Sequence, residues 1–225
     1  MASLRTDAIV LKRTNYGETD RILQVITPKD GKMSVMARGV RKEKSRLAGA
    51  IELFTVCDMV LHVGSGEIAT LTGAKMKVFY GNIIIDYGRL QFGYEAIKQV
   101  SRASQTIDEP EFFELLDETF KALDDQSIEL KITQTWFFLR LARLLGNELN
   151  LATDSSGMKL VEDATYHFDS TDEVFRFDEN GPCSSAHIKL LRVISNNQPK
   201  IITKVSGIET IIDDCLHLAQ IAAKV

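Results

Sequence analysis

Ala8-Ile9-Val10-Leu11, Ile22-Leu23-Gln24-Val25-Ile26 and Met33-Ser34-Val35-Met36 are three short apolar runs, separated by Asn15-Tyr16-Gly17 and by Thr27-Pro28-Lys29-Asp30-Gly31. Runs of β-favouring residues bounded by Gly, Pro, Asn and Asp predict strands joined by turns. Working outward, Leu53 to Val63 and Ile68 to Leu71 flank Gly64-Ser65-Gly66, and Lys75 to Tyr80 is a further extended piece. Five strands in so short a stretch predict a small barrel, because closing the sheet removes the edges a small antiparallel sheet leaves open. The five-stranded oligonucleotide-binding (OB) barrel is the expected form, with an open meander as the alternative.

From Gly81 the period becomes helical. Leu90, Tyr94 and Ile97 share one face of a segment from Ile83 to Ser104, and Pro110 suits the first turn of a helix over Phe112 to Leu123. Ser127 is placed to cap a long segment through Leu145. Its apolar residues, Trp136 to Leu139 among them, cover most of the circumference and predict a buried central helix that Gly146 stops. Residues 147–183 lack a helical period and read as loop, with a short hairpin at Tyr166-His167-Phe168 and Val174-Phe175-Arg176-Phe177. Ile188 to Ser195 predicts another helix. Ser206-Gly207-Ile208-Glu209 reads as a capping box opening the last one, whose Ile208, Ile211, Ile212, Cys215, Ala219 and Ala222 share a face. The expected fold class is therefore α+β: a barrel domain over residues 1–80, then a mostly helical domain over 81–225 with an irregular insertion at about 147–183.

The 225 residues carry a formal net charge of −4, which taken whole argues against a nucleic-acid partner. The charge is unevenly spread: residues 1–80 hold 13 Lys and Arg against 8 Asp and Glu, +5, and the rest of the chain is −9. Arg38 to Gly49 contains five bases, Arg38, Arg41, Lys42, Lys44 and Arg46, against one acid, Glu43. Like charges this dense repel unless solvated or neutralised by a partner, so the segment reads equally as a water-exposed loop or as a grip on a polyanion. Lys12, Arg13, Arg21, Lys29 and Lys32 in the same stretch favour the grip.

Catalytic patterns are sparse. Gly64-Ser65-Gly66 fits a dinucleotide fingerprint formally, but strand-like Ile68 to Thr72 follows where a helix should open, so a hairpin turn is expected. Asp213 and His217 share a helix face without a third metal ligand nearby in sequence, and the adjacent pairs Asp124-Asp125 and Asp213-Asp214 diverge on a helix. No nucleophile motif, P-loop or HExxH occurs, which favours a binding protein over an enzyme. Three scattered cysteines, Cys57, Cys183 and Cys215, offer neither a disulfide framework nor a four-cysteine zinc site, and no apolar run reaches membrane-spanning length; a cytoplasmic protein is expected.

Asn15-Tyr16-Gly17-Glu18-Thr19-Asp20-Arg21-Ile22-Leu23, Thr27-Pro28-Lys29-Asp30-Gly31-Lys32 and the stretch from Ala37-Arg38-Gly39-Val40-Arg41 to Phe54 together resemble the bacterial RecO family of recombination mediators; Trp136 to Gly146 is similar to that family's apolar helix ending in Leu-Leu-Gly. The resemblance implies an N-terminal OB domain, a helical C-terminal domain, strand annealing, and help in loading RecA onto DNA coated by single-strand-binding protein (SSB). RecR and the acidic, Phe-ending tail of SSB are the implied partners. Many members carry two Cys-x-x-Cys pairs that hold zinc. Here Asp154-Ser155-Ser156-Gly157 and Cys183-Ser184-Ser185-Ala186 stand in their places, one thiol of four, so no metal is expected.

The expected function is therefore binding of single-stranded DNA, and of duplex DNA, through Arg13, Arg21, Lys32, Arg38, Arg41, Lys42, Lys44 and Arg46, with Tyr16 and Phe54 as nearby stacking platforms. The alternative is a non-enzymatic adaptor whose barrel docks an acidic protein. For the SSB tail, Arg140 and Arg143 beside the Trp136 to Leu145 helix are the candidate cationic rim, unless they only snorkel at the bundle edge.

Overall fold

In the computed structural model, which describes every residue except Met1, Lys44, Arg46, Ser65, Asp108 and Val225, the apolar runs are the centres of longer strands: β1 (Ala2–Tyr16), β2 (Asp20–Thr27), β3 (Gly31–Ala37), β4 (Thr55–Val63) and β5 (Ile68–Phe79). They close into a barrel in the order β1-β2-β3-β5-β4, with β4 returning to β1. All pairings are antiparallel except β3 with β5, which runs parallel from Ser34↔Ile68 to Met36↔Thr70. This is the OB barrel. The runs at Ile68 to Leu71 and Lys75 to Tyr80 form one strand, because irregularities at Val56/Cys57 and Val60/Leu61 let β4 follow it through Gly73. Val10, Leu23, Val25, Val35, Met59 and Leu61 fill the interior, each fully buried.

A bulge in β1 sets the direction of every side chain beyond it on that strand. Val10 faces Val25, yet the next pairs are Lys12 with Gln24 and Arg13 with Leu23, so Leu11 is an extra residue. Side chains alternate along a strand, and one inserted residue reverses every later assignment. Were Leu11 paired in step, Arg13 would share the outer face with Ile9; because Leu11 is bulged out of the ladder, Arg13 joins the interior row of Leu23.

The chain divides into two compact units, Met1–Asp124 and Asp125–Val225. The first therefore runs past the barrel. After a 3-10 turn at Gly81–Ile84, α1 (Tyr87–Ala103) and α2 (Glu111–Asp124) pack on β1 and β2, where the register pair Ile9 and Ile26 is fully buried. Asp86 caps α1 by accepting the Arg89 amide at 2.9 Å. The buried stripe of α1 is Phe92, Ala96 and Val100 with Gly93 and Ile97, not the Leu90-Tyr94-Ile97 face expected. Tyr94 keeps 50% exposure because only its ring meets Phe54, edge-on at 5.3 Å. Phe54 is itself 2% exposed, in a left-handed backbone conformation (φ 58°), and also packs on Phe120. A β-carbon on Gly93 would come within 2.7 Å of the Phe54 ring, so glycine is what lets helix and ring approach.

In the second unit α3 (Leu130–Leu144) is the expected central helix, with Trp136, Phe137 and Leu141 buried. Ser127 does not cap it; its hydroxyl donates to Asp125 at 2.6 Å, two residues back, and Glu129 occupies the cap position. Gly146 ends the helix at φ 84°, with its amide on Arg143 O and the Asn147 amide on Ala142 O, a Schellman closure. The predicted hairpin is β6 (Thr165–Asp169) with β7 (Val174–Phe177), and β8 (Cys183–Ser184) adds a third strand on the free side of β6. Then come α4 (Ser185–Asn196), α5 (Pro199–Ile202) and α6 (Ile212–Ala222). The capping box belongs to α4, where the Ser184 amide donates to His187 Nδ1 at 3.1 Å. The one read at Ser206 does not form: Gly207 turns the chain at φ 77°, and Ile208 O receives the amides of Ile211 and Ile212 instead. No helix among the described residues is long and apolar enough to cross a membrane.

Candidate nucleic-acid interface

At one end of the barrel the β1–β2 turn meets the long connection between β3 and β4. Gly17 makes the turn at φ 57°, and Tyr16 beside it is 55% exposed. The connection begins Arg38-Gly39-Val40-Arg41-Lys42, and three bonds tie it to the turn. The Arg41 amide donates to Thr19 O at 2.9 Å, its guanidinium to Gly17 O at 3.2 Å, and the Gly39 amide to Asp20 Oδ1 at 2.7 Å. The Thr19 hydroxyl donates to the same Asp20 oxygen at 2.9 Å. The Gly39 amide, then that hydroxyl, hold the Asp20 carboxyl below the usual carboxylate range, and the charges of Arg38 and Lys42 act in the same direction.

Arg38, Arg41 and Lys42 are exposed, and Arg21, its Nε on Asn15 Oδ1 at 3.3 Å, is half-buried. None of the ion pairs among the described residues involves these four. Lys44 and Arg46 lie outside the described residues.

Two other expected contacts stand apart. Arg13, turned to the interior row by the bulge, pairs with Glu52. Lys32 is the second residue of β3, six residues and about 20 Å from Arg38 at strand rise, and its ammonium donates to the carbonyl and hydroxyl of Ser101 at 2.7 and 3.3 Å. Burial, with Lys12 close by, pulls its pKa down. Phe54, buried as described, offers bases no face; of the two aromatic platforms only Tyr16 is open.

The second unit holds another concentration of positive charge. A cavity of about 700 Å³ is lined by Leu139, Leu149, Leu151 and Leu160 together with Arg140, Arg143, Arg192 and Lys159. Arg140 stacks its guanidinium 5.5 Å from the centre of the Trp136 ring, and its Nε is buried without a hydrogen-bond partner. Arg143 is exposed, 3.9 Å from Glu148. Arg192 donates twice to Leu151 O, at 2.9 and 2.5 Å, fixing the cavity wall. Sequence reading missed Arg192 and Lys159, which stand 49 and 16 residues from Arg143; no local pattern joins them.

Among the described residues no group of three His, Cys, Asp or Glu side chains could hold a metal. Asp213 is engaged by Lys131 at 2.7 Å and Asp214 by His187 at 3.2 Å. All three cysteines are buried; burial pushes Cys183 up to about 11 and Cys215 up to about 12, so both stay protonated thiols at neutral pH.

An OB barrel with a cationic mouth, followed by a helical unit, defines a class of oligonucleotide-binding-fold proteins. Residues 1–80 match the family model for the recombination protein O N terminus, and residues 92–218 that for its C terminus. The DNA repair protein RecO of Alkaliphilus metalliredigens is 30% identical over 67% of this chain, and that of Roseiflexus sp. 31% identical over 73%. These matches span 61% and 57% of the relatives' own lengths. That of Dehalococcoides mccartyi is 30% identical over 86% of this chain and 78% of its own. The chain belongs to the RecO family.

Proposed function

We propose that this chain acts in DNA repair and recombination as a non-enzymatic mediator. It grips single-stranded DNA, and duplex DNA, at the barrel mouth, anneals complementary strands, and with RecR helps RecA load onto SSB-coated DNA. The observation that carries the grip is the set Arg21, Arg38, Arg41 and Lys42, gathered at one mouth and outside the ion pairs of the described residues. Phosphate contacts release counterions, so affinity falls with salt in proportion to their number. Four contacts give a log–log slope of about −3 on a single-stranded oligonucleotide, measured by fluorescence anisotropy between 50 and 300 mM salt. A slope near zero would exclude the electrostatic grip. Acceleration of annealing on SSB-coated strands then separates a mediator from a plain charge-driven binder.

The acidic, Phe-ending tail of SSB belongs, on this reading, in the cavity of the second unit. Leucines there suit an aromatic ring, and the buried Arg140 donor without a partner suits a carboxylate. Arg140→Ala should weaken binding of such a peptide about tenfold, and exposed Arg143→Ala about threefold, by calorimetry. Equal binding by wild type and Arg140→Ala would move the tail elsewhere.

A further inference from the structure

We infer that Asp20 is a positioning residue for the grip on DNA: its Oδ1 latches the Arg38–Lys42 segment against the β1–β2 turn. The inference rests on the reading of the barrel mouth as the DNA contact. An acid in the middle of a surface that meets a polyanion repels it, so charge alone gives no reason for Asp20 to stand there. Geometry gives one. The same oxygen receives the Gly39 amide at 2.7 Å and the Thr19 hydroxyl at 2.9 Å, joining the two segments that form the mouth. A carboxylate makes such a bond strong, and the depressed Asp20 pKa is the counterpart of that strength.

Gly39 brings its amide into position at φ 64°, a conformation that side-chain-bearing residues rarely adopt. On the far side of the latch Arg41 makes its own two bonds to the turn, so one carboxylate oxygen and one arginine bracket the segment. A connection held this way has less freedom to lose when phosphates arrive.

The roles of charge and acceptor separate cleanly, because both bonds fall on one oxygen that an asparagine amide also possesses. Asp20→Asn keeps the acceptor and removes the repulsion; Asp20→Ala removes both; Asp20→Glu keeps the charge and moves the acceptor by one methylene. Two readouts apply to the full chain. Trypsin cleavage after Arg38, Arg41 and Lys42 reports order in the segment without DNA, and anisotropy with a single-stranded oligonucleotide reports the grip.

Asp20→Asn should be cleaved at the wild-type rate and bind as well as wild type, or up to about threefold tighter. Asp20→Ala should be cleaved roughly tenfold faster and bind about fivefold more weakly, although it loses the same negative charge. Asp20→Glu should follow Asp20→Ala, which keeps the test decisive if the alanine variant does not fold. Equal behaviour of Asp20→Ala, Asp20→Glu and Asp20→Asn in both readouts would overturn the latch. If cleavage separates the variants while Arg41→Glu with Lys42→Glu leaves DNA affinity untouched, the latch stands and the assignment of the mouth to DNA is overturned.

Discussion

Arg41→Glu combined with Lys42→Glu should lower affinity for a single-stranded oligonucleotide by roughly 30- to 100-fold at 0.1 M salt, and flatten the salt slope from about −3 to about −1.5. Each reversal replaces an attraction with a repulsion at an exposed site, and two contacts are lost of four. The fold should not suffer. The tie between the connection and the β1–β2 turn through position 41 uses its backbone amide, which glutamate keeps, and only the weaker guanidinium bond to Gly17 O disappears. Anisotropy at two salt concentrations, with a thermal melt of the same sample, gives the result. Unchanged affinity, or a loss matched by a collapsed melting temperature, would remove these two residues from the interface.

Gly181→Ala should be the most damaging single methyl group added to the second unit. A β-carbon at Gly181 would lie 2.4 Å from the Tyr166 carbonyl carbon, 2.5 Å from its oxygen and 2.9 Å from its nitrogen. These are backbone atoms of the central strand of a three-stranded sheet. Tyr166 is paired with Phe177 on one side and Cys183 on the other, and its hydroxyl accepts the Val161 amide at 2.9 Å. Nothing there moves as a side-chain tip would, so β6 must shift or β8 must leave it. A cost of about 3 kcal/mol is expected, at the upper end for overpacking. For a unit of about 100 residues that lowers the melting midpoint by at least 10 °C. Gly157→Ala is the control: its backbone is left-handed, at φ 78°, but open space surrounds it, so only about 1 kcal/mol is lost. Equal melting of the two variants would show that the close approach at Gly181 is not what holds the strand.

The barrel was legible in sequence because its strands advertise themselves by alternation and its turns by Gly17 and Pro28-Lys29-Asp30-Gly31. The exposure of Arg38, Arg41 and Lys42 was legible too, since a basic run in a loop has nowhere to hide. Arg13 was not. Its fate depends on one surplus residue, Leu11, and an apolar run reads the same with or without it. Lys32 looked equivalent to Arg38 along the chain, yet a strand carries them to opposite ends. Phe54 near a basic cluster looked like a platform; its neighbours Tyr94 and Phe120 come from elements that lie 40 and 66 residues further on. The cap at Ser206 failed for a related reason: the Ser-x-x-Glu pattern is local, but a left-handed glycine inside it prevents the helical turn the pattern assumes. Local signals thus gave elements and charge, and long-range pairing decided which charges remain available.

The surplus residue in the first strand also bears on how this surface could be re-engineered. Adding arginines around the rim adds repulsion among them. Deleting Leu11 would restore regular alternation yet leave Arg13 opposite Leu23, on the luminal side and within reach of Glu52; only a partner strand lengthened by one residue, so that Leu11 falls into step, would swing that guanidinium to the outer wall. The cationic footprint is thus set by a frameshift in side-chain direction as much as by how many basic residues the chain contains.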